Sequence, residues 1–377
     1  MRFLHTADLH IGKSVNEFSM LEDQQYVLEQ MAEAAREYQA DAFVIAGDVY
    51  DRSVPAAEAV ELLDQFITKL ARENIPVLMI AGNHDSGTRL SFAQELLAQN
   101  QVYIAGEAKE DASFVTVKDT QFVLLPFFRP ARMGAADSDS AMKKCMESLR
   151  KKMAEQEPCA HSVLVTHCFV TNAGSEPELS ESESTVHVGG IDNVDASVFD
   201  GFSYVALGHI HKPQQIGSRP VWYAGTPLAY SFSENSADKG MNLVELLENG
   251  ETKVSRVALK PLHAMRTMRA SMQELLFMGE QMRKEHDPAR EDYLRMILTD
   301  EEELLNPIQT LRSVYPNVMQ IVFARHEKRE SLDAKTAFTV HRQPQIDELF
   351  ASFYELVTGE RMDDKRRRYV EQIVKEL

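Results

Sequence analysis

Thiols are the first thing this sequence is short of. Its three cysteines, Cys145, Cys159 and Cys168, show no CxxC spacing. That excludes a thiolate zinc site and offers no disulfide framework. Reduced, structural thiols are expected, and Cys168, although it directly follows His167, reads as a small residue at a strand end. Long apolar runs are missing too. No segment approaches the roughly 18 uninterrupted apolar residues of a membrane span. The opening MRFLHTADLH runs into a strand pattern, without an apolar leader or a small-residue cleavage site. A cytoplasmic protein with no membrane partner is expected. Basic charge is also in deficit, 40 Lys+Arg against 58 Asp+Glu for a net charge of -18, which argues against nucleic-acid binding through the overall field. Residues 1–260 carry 22 basic against 37 acidic side chains, and residues 261–377 carry 18 against 21. Most of the acidity therefore lies in the first part. Where some of those carboxylates are metal ligands, the bare charge overstates the repulsion a phosphate meets.

What is present is a repeated pattern. FLHTAD, AFVIAGD, VLMIAGNHD, SVLVTH and YVALGHIH each read as a buried strand whose last residues turn abruptly polar. Between them, residues 22–38 and 55–73 have apolar side chains at helical spacing, with Pro55 suited to a first turn. The expectation is an α/β layered domain with its site at strand ends. SEPELSESES, residues 175–184, is polar and aperiodic. It reads as a flexible loop, with a solvated connector and a role over the site both open.

At 377 residues the chain is long for one core, and a change of character near Lys260 suggests a boundary. Residues 261–340 read as a small α+β domain: a helix in ASMQELLFMGEQMRKEH, a strand in DYLRMILTD, a helix in NPIQTLRSVYP and a strand in VMQIVFARH. Residues 341–377 read as a helical tail. Ile346, Leu349, Phe350, Phe353, Leu356 and Val357 form one apolar stripe that ends at Gly359, and Tyr369, Val370, Ile373, Val374 and Leu377 form another.

Five strand ends deliver ligand-type residues: Asp8 and His10; Asp48 and Asp51; Asn83, His84 and Asp85; His167; His209 and His211. All are oxygen or imidazole donors, suited to borderline divalent ions such as manganese, iron or zinc. In DxH and HxH the intervening residue breaks side-chain alternation, so both ligands point to one face of an extended chain. Gly47, Gly82 and Gly208 fit a backbone crowded against metal and substrate, where a Cβ has no room.

The order DxH, GDxxD, GNHD, H, GHxH resembles the calcineurin-like metallophosphoesterases. The flanking stretches YVALGHIHKPQ, YAGTPLAYSFSE and DYLRMILTDEE, with the helical tail, resemble the nuclease subunits of bacterial DNA-repair complexes in that superfamily. The resemblance implies a layered metallophosphoesterase sandwich and two divalent metals, most simply Mn2+. By motif, Asp8, His10 and His211 hold the first, Asn83, His167 and His209 the second, and Asp48 bridges. His84 then protonates the leaving oxygen or stabilises phosphorane charge. It also implies a double-strand exonuclease and hairpin-processing endonuclease, a capping domain over DNA, a large ATPase partner docked on the C-terminal helices, and a homodimer within a heterotetramer. A small-molecule phosphodiesterase or phosphatase is the alternative, and the 117 residues after Lys260 count against it.

Asp51 is expected to orient a ligand or nearby backbone and Asp85 to hold an imidazole tautomer, with simple turn chemistry the open alternative for each. Arg52, Arg89 and Lys212 lie beside the motifs, as DNA contacts or as merely solvated cations. Further basic clusters lie at Lys143–Lys144 with Arg150–Lys152, at Arg325 to Arg329 and at Lys365 to Arg368. Such runs are usually solvated faces.

Overall fold

The computed structural model describes residues 1–108, 113–183, 192–234, 238–302 and 304–324, together with Tyr354, Met362, Arg366 and Val370. One compact unit comprises Met1–Ile297 and Leu304–Ile321; a second comprises Leu298–Glu303 and Val322–Leu377. The expected tail helices, apart from four single residues, and the cluster from Arg325 to Arg329 lie outside the described residues.

Apolar runs too short for helices form the centre. The first sheet has the order Thr252–Ala258, Gly240–Leu246, Arg2–Thr6, Ala42–Ala46, Val77–Ile80, Val102–Ala105. Its last four strands are parallel, with Thr6 level with Ile45 and Ala46 level with Ile80. A second sheet runs Gln214–Gln215, Val221–Tyr223, Tyr204–Gly208, His161–His167, Thr120–Leu125, Ser113–Val117. Its central strands are also parallel, and Gly208 pairs with His167. Strands buried on both faces need no alternation. AFVIA and VLMI are accordingly buried at every position.

The sheets pack face to face. Phe3, Val44 and Leu78 from the first share a core with Phe122, Val163 and Tyr204 from the second. Phe3 meets Phe122 and Tyr204 edge-on, with ring centroids 5.4 and 5.7 Å apart. Helices Leu21–Glu37 and Ala57–Arg72 cover the outer face of the first sheet, and helix Ser138–Ala154 covers that of the second. The α/β layered sandwich is as the sequence pattern predicts. Pro55 is not in the first turn: the helix begins at Ala57 after Ala56, so the proline only leads the chain into it.

Residues 261–297 and 304–321 pack within the first unit. Met265, Tyr293 and Met319 join the outer core of the first sheet. Buried Asp23 accepts hydrogen bonds from the His263 backbone at 2.9 Å and the Tyr293 hydroxyl at 2.7 Å. Helix Met272–Glu285 starts in a capping box made by Ser271 and Glu274, as its SxxE spacing requires. Strands Met265–Ala270, Tyr293–Leu298 and Val318–Phe323 form its three-stranded sheet. Among the described residues, no helix is long and apolar enough to cross a membrane.

Candidate metal centre

The carboxyl ends of the parallel strands of both sheets meet at one place. There the chain turns sharply after each strand, leaving Asp8, His10, Asp48 and His209 at φ values of 55, 45, 47 and 105°, conformations that side chains rarely adopt. Neighbouring loops hold them. The Asp8 N–H donates to the Gly47 carbonyl and the His10 N–H to the Asp48 carbonyl, both at 3.0 Å. A Cβ on Gly82 would lie 2.1 Å from Asp48 Oδ1, and one on Gly47 would lie 2.4 Å from His167 Nδ1. Glycine is required at both.

Two nests of donor atoms result. In one, His10 Nε2 faces His211 Nε2 at 3.2 Å, and Asp8 completes a set whose ligand atoms lie within 4.8 Å of one another. In the other, Asn83 Oδ1 lies 2.9 Å from His167 Nε2 and 3.1 Å from His209 Nδ1. Asp48 Oδ2 lies between them, 3.4 Å from His167 Nε2, 3.8 Å from His10 Nε2 and 4.0 Å from His84 Nε2. All seven ligand candidates named by the sequence converge.

The electrostatics are those of a site built for cations. Burial pushes His10 down to about 4 and His211 well below its ordinary value, so both imidazoles are neutral and able to ligate. Burial also pushes Asp8 well above the usual carboxylate range. It opposes the ionised Asp48 as well, but His167, His10 and His84 outweigh it and hold that carboxyl below the range. Burial alone would lower His167, yet Asp48 and Asp8 draw it up to about 9. Protons are thus standing in for positive charge among these groups. His10 Nδ1, also buried, has no hydrogen-bond partner among the described residues. Facing imidazoles and a carboxylate between two donor sets fit a pair of borderline divalent ions, with oxygen and nitrogen ligands only. Cys168 is no thiolate, since burial pushes its thiol up to about 12.

His84 is more open than Asp8, His10, Asp48, His167 and His211, which are buried. Its ring is 42 % exposed, and Nδ1 lies 3.0 Å from the Asp51 carbonyl oxygen, which it can serve only by donating. Nε2 is left facing the site. Asp51 Oδ1 lies 3.8 Å from His10 Nδ1 and 2.7 Å from Lys13 Nζ, placing it behind a ligand. Asp85 touches no imidazole nitrogen among the described hydrogen bonds. Its carboxylate accepts the backbone N–H groups of Val49, Tyr50 and Gly82 at 3.1, 2.9 and 2.9 Å, tying two motif loops together. Of the cations, Arg52 and Arg89 are exposed; Arg52 pairs with Asp51 at 3.7 Å and Lys212 pairs with Glu178.

The sequence reading missed a buried layer behind His211. Ser182 Oγ lies 2.7 Å from His211 Nδ1 and donates to Glu234 Oε1 at 2.6 Å. Glu183 accepts the His211 backbone N–H. Lys239 Nζ pairs with Glu234 and donates to Thr226 Oγ1 at 2.6 Å. Residues 180–183, read from sequence as part of a flexible loop, therefore orient a ligand. No periodicity marks a single serine, and only the YAGTPLAYSFSE stretch had flagged Glu234.

Geometry and donor chemistry fit a metal-dependent hydrolase, and residues 1–213 match the calcineurin-like phosphoesterase family, which makes it a phosphoester hydrolase. Residues 261–358 match the Type 5 capsule protein repressor C-terminal domain. The chain is 31 % identical to the SbcD component of the SbcCD nuclease of Staphylococcus saprophyticus, across 100 % of this chain and 98 % of that protein. It belongs to the calcineurin-like phosphoesterases and, within them, to the SbcD family. Among solved structures it is similar to a dimetal phosphatase from Danio rerio, with 12 % identity over 68 % of this chain and 98 % of that chain and a TM-score of 0.39. A β-glucosidase from Micrococcus antarcticus follows, with 10 % identity over 85 % of this chain and 83 % of that chain and a TM-score of 0.22. The family assignment rests on neither structure.

Proposed function

We propose that this protein is a manganese-dependent DNA nuclease, a double-strand exonuclease and hairpin or end-processing endonuclease working with an SbcC-like ATPase. The observation that carries the reading is the position of Asp48 Oδ2 between two separate nests of imidazole nitrogen. Asp8, His10 and His211 would hold one ion and Asn83, His167 and His209 the other, with Asp48 shared between the two sets. When bound, the pair supplies Lewis acidity, an acidified water and a clamp on the attacking and leaving oxygens of an in-line displacement. His84 does the remaining proton work. With Nδ1–H held by the Asp51 carbonyl, the imidazolium form gives up its Nε2 proton to the leaving oxygen and becomes neutral imidazole. Ser182 fixes His211 through Nδ1, so that its Nε2 stays turned toward His10.

On this reading residues 1–260 are the nuclease domain, residues 261–340 contact DNA as a cap, and residues 341–377 dock on the ATPase. The nuclease is a homodimer within a heterotetramer and acts in the cytoplasm. Arg52 and Arg89 remain candidates for phosphate contact, although Arg52 is paired with Asp51 and Lys212 with Glu178. The test is purified protein with manganese, alone and with the ATPase, on linear duplex DNA, a DNA hairpin and bis-p-nitrophenyl phosphate. Cleavage of both DNAs is expected. Hydrolysis of the small diester with neither DNA cut, even with the ATPase present, would make the protein a small-molecule phosphodiesterase.

A further inference from the structure

Beside the metal centre the molecule opens into a cavity of about 530 Å3, and Asn83, His167 and His209 form one of its walls. The rest is mostly apolar and aromatic: Phe127, Phe128, Phe169, Met142 and Val194. The aromatic wall continues from the imidazoles. Phe127 meets His167 edge-on with centroids 6.3 Å apart, and Phe169 meets His209 at 6.4 Å. Arg129 also lines the cavity; it is exposed, and its side chain makes no hydrogen bond or ion pair among the described residues.

None of this apolar surface is needed to hold metal or to hydrolyse a phosphate. A cavity of this volume is of ordinary ligand-binding size, and it begins where the scissile phosphate would sit. What extends from that phosphate in DNA is a sugar bearing a flat base with apolar faces. Aromatic side chains bind such a base by stacking, whatever its identity. A base still paired and stacked in a duplex cannot enter; one turned out of the stack can.

Building on the nuclease reading above, we propose that this cavity seats the nucleobase joined to the scissile phosphate, extruded from the duplex, while Arg129 holds a neighbouring phosphate. The base is chosen by its stacking faces and not by an edge code, so all four bases are accepted. The cavity holds the end nucleotide of a strand and gives the exonuclease a reason to advance one nucleotide at a time.

The test measures kcat/KM on two manganese-supported duplex substrates that differ only at the terminal nucleotide, one carrying its base and the other abasic. Wild type should prefer the base-bearing end by about tenfold to a hundredfold, the usual effect of one stacked base. Phe128→Ala should lose most of that preference by falling on the base-bearing end alone. Ala136→Trp changes an exposed residue of the cavity wall and fills the space without removing core packing, so it should erase the preference as well. Equal wild-type rates on the two ends would overturn the proposal. So would equal losses on both substrates in both variants. Hydrolysis of bis-p-nitrophenyl phosphate with neither DNA cut would overturn the nuclease reading and this inference together, which separates that failure from a failure of the cavity alone.

Discussion

Removing the carboxylate of Glu234 tests the layer behind His211. Glu234 and Lys239 side chains are 3 % and 4 % exposed. Among the described residues the other hydrogen bonds of Lys239 go to neutral oxygens, Thr226 Oγ1 at 2.6 Å and the His211 carbonyl at 3.2 Å, while Glu183 also favours its charge. Glu234→Ala leaves an ammonium buried without its hydrogen-bonded carboxylate, which costs about 3–5 kcal/mol when one partner of a buried pair is lost. At roughly 2–4 °C per kcal/mol for a domain of this size, Tm should fall by about 6–20 °C. The pH dependence gives a second reading. Burial already lowers Lys239 below its ordinary value despite Glu234, and the variant lowers it further. The folded variant then binds fewer protons than the unfolded chain, so its stability rises with pH. Calorimetry at pH 7 and pH 9.5 should therefore show the smaller loss at the higher pH. Replacing both Glu234 and Lys239 by Met should recover most of the loss. A Tm within about 2 °C of wild type for Glu234→Ala, or a deficit that grows with pH, would refute the account.

Asp48→Asn should abolish turnover and lower manganese stoichiometry with the fold intact, because a neutral amide binds two cations poorly; retention of two ions and wild-type rate would remove Asp48 from the bridge. His84→Ala should keep its metal by elemental analysis and lose about 10²–10⁴ in rate, the range for a lost general acid. Metal loss would make His84 a ligand instead. His5 is held neutral by burial, down to about 3, so its contribution is present above the unfolded value near 6.5 and lost as pH falls toward 3. Denaturant unfolding of His5→Asn should show a shallower acid limb, by up to about 4–5 kcal/mol, and an unchanged limb would assign acid sensitivity to other groups.

Fold and ligands were legible in the sequence for the same reason. A parallel strand buried on both faces must be apolar throughout, and a ligand at its end must be polar. The change from AFVIA to Asp48 therefore marks a strand and a site together. Residue types told the donor chemistry, but the same-face expectation for DxH and HxH did not hold: Asp8, His10 and His209 lie in turns at positive φ beyond the strand ends, and His209 and His211 stand in different nests. The cavity wall was not legible. Phe127, Phe128 and Phe169 follow or lie within strands, where aromatic residues are ordinary core, and only their closeness to His167 and His209 gives them another meaning. Ser182 was hidden for the opposite reason: a polar, aperiodic segment looks the same whether it floats or is pinned by two buried partners.

The reading of Asp85 shows how far sequence reached and where it stopped. An acid beside a ligand histidine suggests a partner for an imidazole, because that is the usual way a tautomer is fixed. Here the backbone is the harder problem. Asp8, His10, Asp48 and His209 all adopt positive φ, each at a cost of order 1–3 kcal/mol, and a strained loop left alone would relax and scatter its ligands. Asp85 answers that strain by accepting N–H groups from Val49, Tyr50 and Gly82, which lock the turn carrying Asp48 to the turn carrying Asn83. Burial and the neighbouring Asp48 raise its carboxyl to about 6, which marks the cost of keeping an acceptor there. The group that looks like a ligand's partner is therefore the clamp on the backbone that makes the ligand geometry possible.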